Sequence, residues 1–120
     1  MATIKSYTDL EQSKKLEKIL SLESADMFYI AGKGEPIFIG NKMVAYGEDD
    51  YDCLGEPDVL CWSLAALFKL LPNSAQLEKG NVTELYRVTL PVELKTSDWY
   101  IEPIDACVEM IEHLHGQKML

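Results

Sequence analysis

The residues of this chain whose types could carry chemistry are three cysteines, two histidines and one dense run of carboxylates. Cys53, Cys61 and Cys107 supply thiols, His113 and His115 supply imidazoles, and Glu48 to Asp58 holds six acidic side chains with no base among them. The acidic run invites a calcium reading, because Asp50, Asp52 and Gly55 fall at positions 1, 3 and 6 of a loop begun at Asp50. Position 5 is then Leu54, and position 12, which must give a bidentate carboxylate, is Cys61. The run reads as a solvated acidic loop, and Asp49, Asp50 and Asp52 are kept as candidate binding residues. A zinc site fares no better. No two cysteines have knuckle spacing, and His113 and His115 are two residues apart on an expected helix, which turns their rings about 200° from one another. No metal site and no cofactor is expected.

A cysteine nucleophile needs a partly exposed thiol in positive surroundings and a base within reach. Cys107 shares an element with His113 and His115 but lies on an apolar stripe beside Val108 and Ile111, the setting of a packed thiol. Cys61 is placed near the start of an expected helix, where the dipole favours a thiolate and the carboxylate of Asp58 opposes it. Gly32-Lys33-Gly34 lacks the rest of any phosphate-loop pattern and reads as a turn. Ser63 lies in no G-x-S-x-G elbow and reads as a helix-start residue.

The whole chain has 120 residues, a length that fits one domain, taken here as 1–120. Twenty acidic residues against eleven basic ones leave a formal charge of -9. A single arginine, Arg87, and lysines scattered among acids argue against direct nucleic-acid binding and against an anionic membrane surface. With 48% apolar and 26% charged residues the composition is that of a folded domain. Residues 1 to 18 mix lysines with acids and contain no apolar signal core, and the longest apolar stretch, Leu64 to Leu71, is far short of a bilayer span. Together with an odd number of cysteines, this favours a cytoplasmic setting with reduced thiols.

The elements that must position these residues follow from periodicity. Thr8-Asp9-Leu10-Glu11 has the form of a capping box, so a helix is expected from Thr8 to about Leu20. Short aromatic and β-branched runs over Met27 to Ala31, Pro36 to Ile39 and Lys42 to Tyr46, separated by glycines, predict strands, with Gly40-Asn41 as a hairpin turn. Asp58 is expected to cap a second helix carrying Leu60, Leu64, Leu67, Phe68 and Leu71, which ends at Pro72-Asn73. Strands return over Val82 to Leu90, Val92 to Leu94 and Trp99 to Ile101. Pro103 opens a third helix whose stripe of Ile104, Cys107, Val108, Ile111 and Leu114 stops at Gly116. Strands grouped as hairpins predict an α+β fold, three helices packed on antiparallel sheet in the order α-βββ-α-βββ-α. Trp99 and Tyr100, adjacent on one strand, must face opposite ways, so one of them is an interface candidate. Trp62 is a further binding candidate.

Four blocks are familiar: Ser6-Tyr7-Thr8-Asp9-Leu10-Glu11-Gln12-Ser13-Lys14-Lys15-Leu16, Leu22-Glu23-Ser24-Ala25-Asp26-Met27, Cys61-Trp62-Ser63-Leu64-Ala65-Ala66-Leu67, and Pro103-Ile104-Asp105-Ala106-Cys107-Val108-Glu109-Met110-Ile111. Through them the chain resembles a family of small uncharacterised proteins found in gut bacteria and in their phages and mobile elements. The resemblance implies a phage-associated or mobile-element accessory protein and brings no catalytic residues with it.

Two functional expectations follow. The first is a non-enzymatic, acidic interaction module for a protein partner, since residues 21 to 60 hold nine acidic residues against two basic ones. In a narrower form it is an acidic decoy that blocks a nucleic-acid-binding protein through Asp49, Asp50 and Asp52. The alternative is a small-molecule or metal-assisted enzyme using Cys61 and the acidic loop, which requires a pocket lined by Cys61, Trp62 and carboxylates. Self-association through open strand edges is compatible with either.

Overall fold

The computed structural model describes residues 5–38, 58–80, 82 and 84–118. The expected strand over Lys42 to Tyr46, the Gly40-Asn41 turn, Cys53 and the candidates Asp49, Asp50 and Asp52 lie outside the described residues. The architecture is α+β, with three helices and six strands among the described residues in the expected order α-βββ-α-βββ-α. The strands form two separate three-stranded antiparallel sheets. The chain partitions into two compact units, Asp9–Ser63 and Met1–Thr8 with Leu64–Leu120.

In the unit Asp9–Ser63, helix α1 spans Leu10–Glu17. Its capping box sits one residue later than the pattern Thr8-Asp9-Leu10-Glu11 predicts. The Asp9 carboxylate accepts the Gln12 N–H at 2.7 Å and the Gln12 side chain accepts the Asp9 N–H at 3.1 Å, while Thr8 is buried. Aspartate is as good a cap as threonine, and a glutamine at N3 closes the box as well as a glutamate. The helix stops short of Leu20 because the chain tightens into i→i+3 bonds, Lys18 N–H to Lys15 and Ile19 N–H to Leu16.

Strands β1 (Met27–Tyr29), β2 (Ile37–Phe38) and β3 (Val59–Cys61) follow, with β1 in the centre. All three residues of β1 are buried, as a central strand covered on both faces requires. Phe28 stands opposite Ile37 on one side and Leu60 on the other. Val59 to Cys61 overturns the expectation of a helix capped by Asp58. The Leu60-Leu64-Leu67 spacing is helical, yet Val59 and Cys61 alternate with Leu60 in burial and pair in register with β1, so strand pairing wins over local periodicity. Leu16 is fully buried on α1, which packs on β3, and Glu17 Oε2 accepts the Leu60 N–H at 2.9 Å.

The second unit contains helix α2 (Leu64–Leu70), strands β4 (Gln76–Lys79), β5 (Tyr86–Leu90) and β6 (Lys95–Thr96), and helix α3 (Pro103–Gly116). The α2 start is fixed by Leu64 N–H donating to the Ser6 carbonyl at 2.9 Å. The strand over Val92 to Leu94 is instead the hairpin turn Pro91 to Leu94, in which Leu94 adopts a left-handed φ of 55°. A four-residue β-hairpin connection of this kind commonly ends on such a residue. The Trp99 to Ile101 strand reduces to one bridge, Tyr86 to Tyr100. Its cause is Ser97: the Ser97 hydroxyl accepts the Val88 N–H at 2.9 Å, taking a rung that a backbone carbonyl would occupy, and the ladder bulges.

Helix α3 carries the stripe read from the sequence. Ile104, Cys107, Val108, Ile111 and Leu114 are all buried, and α3 packs against α2 and β5, which contribute Leu67, Val88 and Leu90 to the same core. Each such side chain contributes about 1.5–3 kcal/mol through removal from water. The helix start is held by Lys5, whose backbone N–H donates to Glu102 at 2.6 Å and whose ammonium pairs with Asp105 at 3.0 Å.

Candidate functional site

The alternation along β5 sorts its side chains. Val88 and Leu90 are buried beneath α3, and Arg87 and Thr89 therefore belong to the opposite, outer face of the sheet. On that face Arg87 Nε donates to Glu78 Oε2 of β4 at 2.7 Å, across the register pair that sets Glu78 opposite Arg87. The guanidinium lies 4.5 Å from the centre of the Trp99 ring. Trp99 remains 42% exposed and Ile101, two residues on, 70% exposed. The result is a wide aromatic ring whose orientation is set from below by a charged plane that is itself anchored.

Tyr100 turns the other way. Its hydroxyl donates to Glu109 Oε1 of α3 at 2.6 Å, and the Asp98 N–H donates to the other oxygen, Oε2, at 2.9 Å. The bond to Glu109, with burial and the neighbouring negative charge, pushes the Tyr100 phenol from 10.0 up to about 12. Tyr100 is thus a tie between sheet and helix, and Trp99 is the member of the pair that meets solvent. Trp62 does not meet solvent at all: it is fully buried, with its indole N–H donating to Ser24 Oγ at 3.0 Å. That burial removes it as a contact surface.

The nucleophile candidates are equally enclosed. Cys61 is a buried β3 residue and not a helix-start residue, so no helix dipole acts on it. Cys107 is buried on the inner face of α3, and burial alone pushes its thiol from 9.0 up to about 12. Ser63 does not open α2 as a nucleophile. Its N–H and its hydroxyl both donate to Asp26, at 2.9 Å and 2.5 Å. His113 and His115 are exposed in the last turns of α3. Among the described residues no group of three or more His, Cys, Asp or Glu could hold a metal ion, and no helix is long and apolar enough to cross a membrane.

Arg87, Glu78 and Ile101 were not legible as site residues. Their relation to Trp99 depends on the β4–β5 register and on the Ser97 bulge, neither of which the sequence pattern specifies. Set against protein-family models, curated proteins and solved structures, the chain matches none.

Proposed function

We propose that the chain is a non-enzymatic interaction module that docks a protein partner on the outer face of the β4–β5–β6 sheet, with Trp99 as the anchor. The observation that carries this reading is the oriented, half-exposed indole of Trp99 over the Glu78-fixed guanidinium of Arg87. Tryptophan and arginine dominate interface energetics, and an anchor already held in place loses little side-chain entropy on binding. Ile101 beside it adds exposed apolar area. With a net charge of -9, the chain is complementary to a partner whose surface is basic around an apolar socket. A cytoplasmic accessory role of the kind phages and mobile elements carry fits this reading. The alternative of an enzyme built on Cys61 loses support from the burial of that thiol.

The test is affinity capture from a bacterial lysate at modest salt, with wild type, Trp99→Ala and Ile101→Ser run in parallel, and light scattering on the free chain. A basic protein retained by wild type, released by salt and lost with Trp99→Ala by about 2 kcal/mol or more of binding energy supports the module. Identical retention by all three chains, or a concentration-dependent dimer that Trp99→Ala abolishes, sinks it, the latter in favour of self-association.

A further inference from the structure

On the α3 side of the same sheet, Leu94, Lys95 and Thr96 of the hairpin and Glu109, Met110 and His113 of α3 line an open cleft of about 310 Å³. We propose that this cavity is a binding site for a small zwitterion, a molecule bearing an ammonium group and a carboxylate a few bonds apart. This goes beyond the docking face, which uses the other side of the sheet.

Two features of the cavity argue for it. Its size is at the lower end of the range in which proteins hold small organic ligands, and the buried Met110 supplies an apolar floor. Its polar groups are of both signs and are placed by the fold. Glu109 and His113 are four residues apart on α3 and share one face, while Lys95 and Thr96 come from β6. Glu109 is locked by the Asp98 N–H and the Tyr100 hydroxyl, one on each oxygen, and each oxygen keeps a second lone pair for an incoming N–H donor. The side chains of Lys95 and His113 make no hydrogen bond or ion pair with another described residue, so an ammonium and an imidazole are available to a carboxylate, while Thr96, in register with Thr89, turns its hydroxyl to the other face.

The balance of charge selects the ligand. One carboxylate and one ammonium around the cavity leave a simple anion facing Glu109 and a simple cation facing Lys95. A zwitterion satisfies both ends, its ammonium on Glu109 and its carboxylate on Lys95 and His113.

The experiment is an NMR titration of the full ¹⁵N-labelled chain with β-alanine, propionate and propylamine, three probes of similar length carrying both charges, the negative one alone or the positive one alone. Saturable shifts are expected with β-alanine at the amides of Lys95 and Thr96 and at the His113 ring. Propionate and propylamine should bind at least about tenfold more weakly, the loss of one charge-assisted hydrogen bond. Lys95→Met and Glu109→Gln should each weaken β-alanine by a similar factor, and Lys14→Met should leave it unchanged. Glu109→Gln disturbs the Tyr100 tie, so Lys95→Met, at a half-buried side chain with no such tie, decides if the former unfolds. No saturable shift with β-alanine, equal affinity for propionate, or indifference to Lys95→Met overturns the assignment.

Discussion

Asp26, just before β1, accepts both the backbone N–H and the hydroxyl of Ser63, just after β3, at 2.9 Å and 2.5 Å. Two residues earlier the Ser24 hydroxyl accepts the indole N–H of Trp62 and donates its own hydrogen bond to the Ser21 carbonyl at 2.6 Å. The pairs Ser24/Asp26 and Trp62/Ser63 thus clasp the ends of neighbouring antiparallel strands. Asp26→Ala removes two bonds to a carboxylate and should cost about 2–4 kcal/mol, whereas Ser63→Ala removes one and should cost about 1–2 kcal/mol. Chemical denaturation checks this, and equal stability of Asp26→Ala and wild type would remove the clasp.

The two tryptophans should report separately. Trp62 is fully buried and Trp99 is 42% exposed beneath solvent, with Arg87 against its ring. Iodide quenching should reach one emission component only. Trp99→Phe should abolish that component and leave a blue-shifted, unquenched spectrum, while Arg87→Ala should make Trp99 more quenchable with a stability change of less than about 1 kcal/mol. A fully quenchable Trp99→Phe chain contradicts the burial of Trp62.

Thr89 Oγ1 is shielded from water and has no hydrogen-bond partner among the described residues. A hydroxyl in that state carries a desolvation penalty without recompense. Thr89→Val replaces it with a methyl of similar shape and should stabilise the chain by about 1 kcal/mol, raising the thermal midpoint by several degrees. A lower midpoint would mean that the hydroxyl is satisfied.

Alkaline pH should loosen the fold in a defined window. Cys107 titrates near 9.0 when solvated and near 12 when folded, through burial, and Tyr100 moves from 10.0 to about 12, chiefly through its bond to Glu109. Both groups hold their protons more tightly in the folded chain, so the folded state is the more protonated one and stability falls as pH rises. From these two groups it should be level below about pH 9 and decline between roughly 9 and 12, with the thiol contributing on the order of 1 kcal/mol per pH unit. Denaturation midpoints measured across that range check the slope, which Cys107→Ala and Tyr100→Phe should each make shallower. At neutral pH Cys61 and Cys107 should resist a thiol reagent until the chain unfolds.

Helix α3 was legible because its signal is redundant: a proline at the start, five apolar residues on one stripe and a length of four turns. Val59 to Cys61 misled because three residues fit a helical and an extended pattern alike, and only their partners in β1 decide between them. Gln76 to Lys79 went unread because an edge strand that is largely exposed has no apolar alternation to show. The opposed faces of Trp99 and Tyr100 follow from strand alternation, but which ring points outward depends on Glu109, ten residues beyond Trp99 on another element. The cavity was hidden for the same reason, since it exists only once α3 and the β5–β6 hairpin are in register.

The Glu17 side chain, seated on the Leu60 amide, has one more consequence. Among the described residues strand β3 borders its sheet, and an unoccupied N–H on such a border is where a stray segment from another molecule would first latch on. A carboxylate there both fills the docking point and repels the negatively charged copies that surround it. That one side chain therefore shields this border of the sheet from a foreign strand at the Leu60 position.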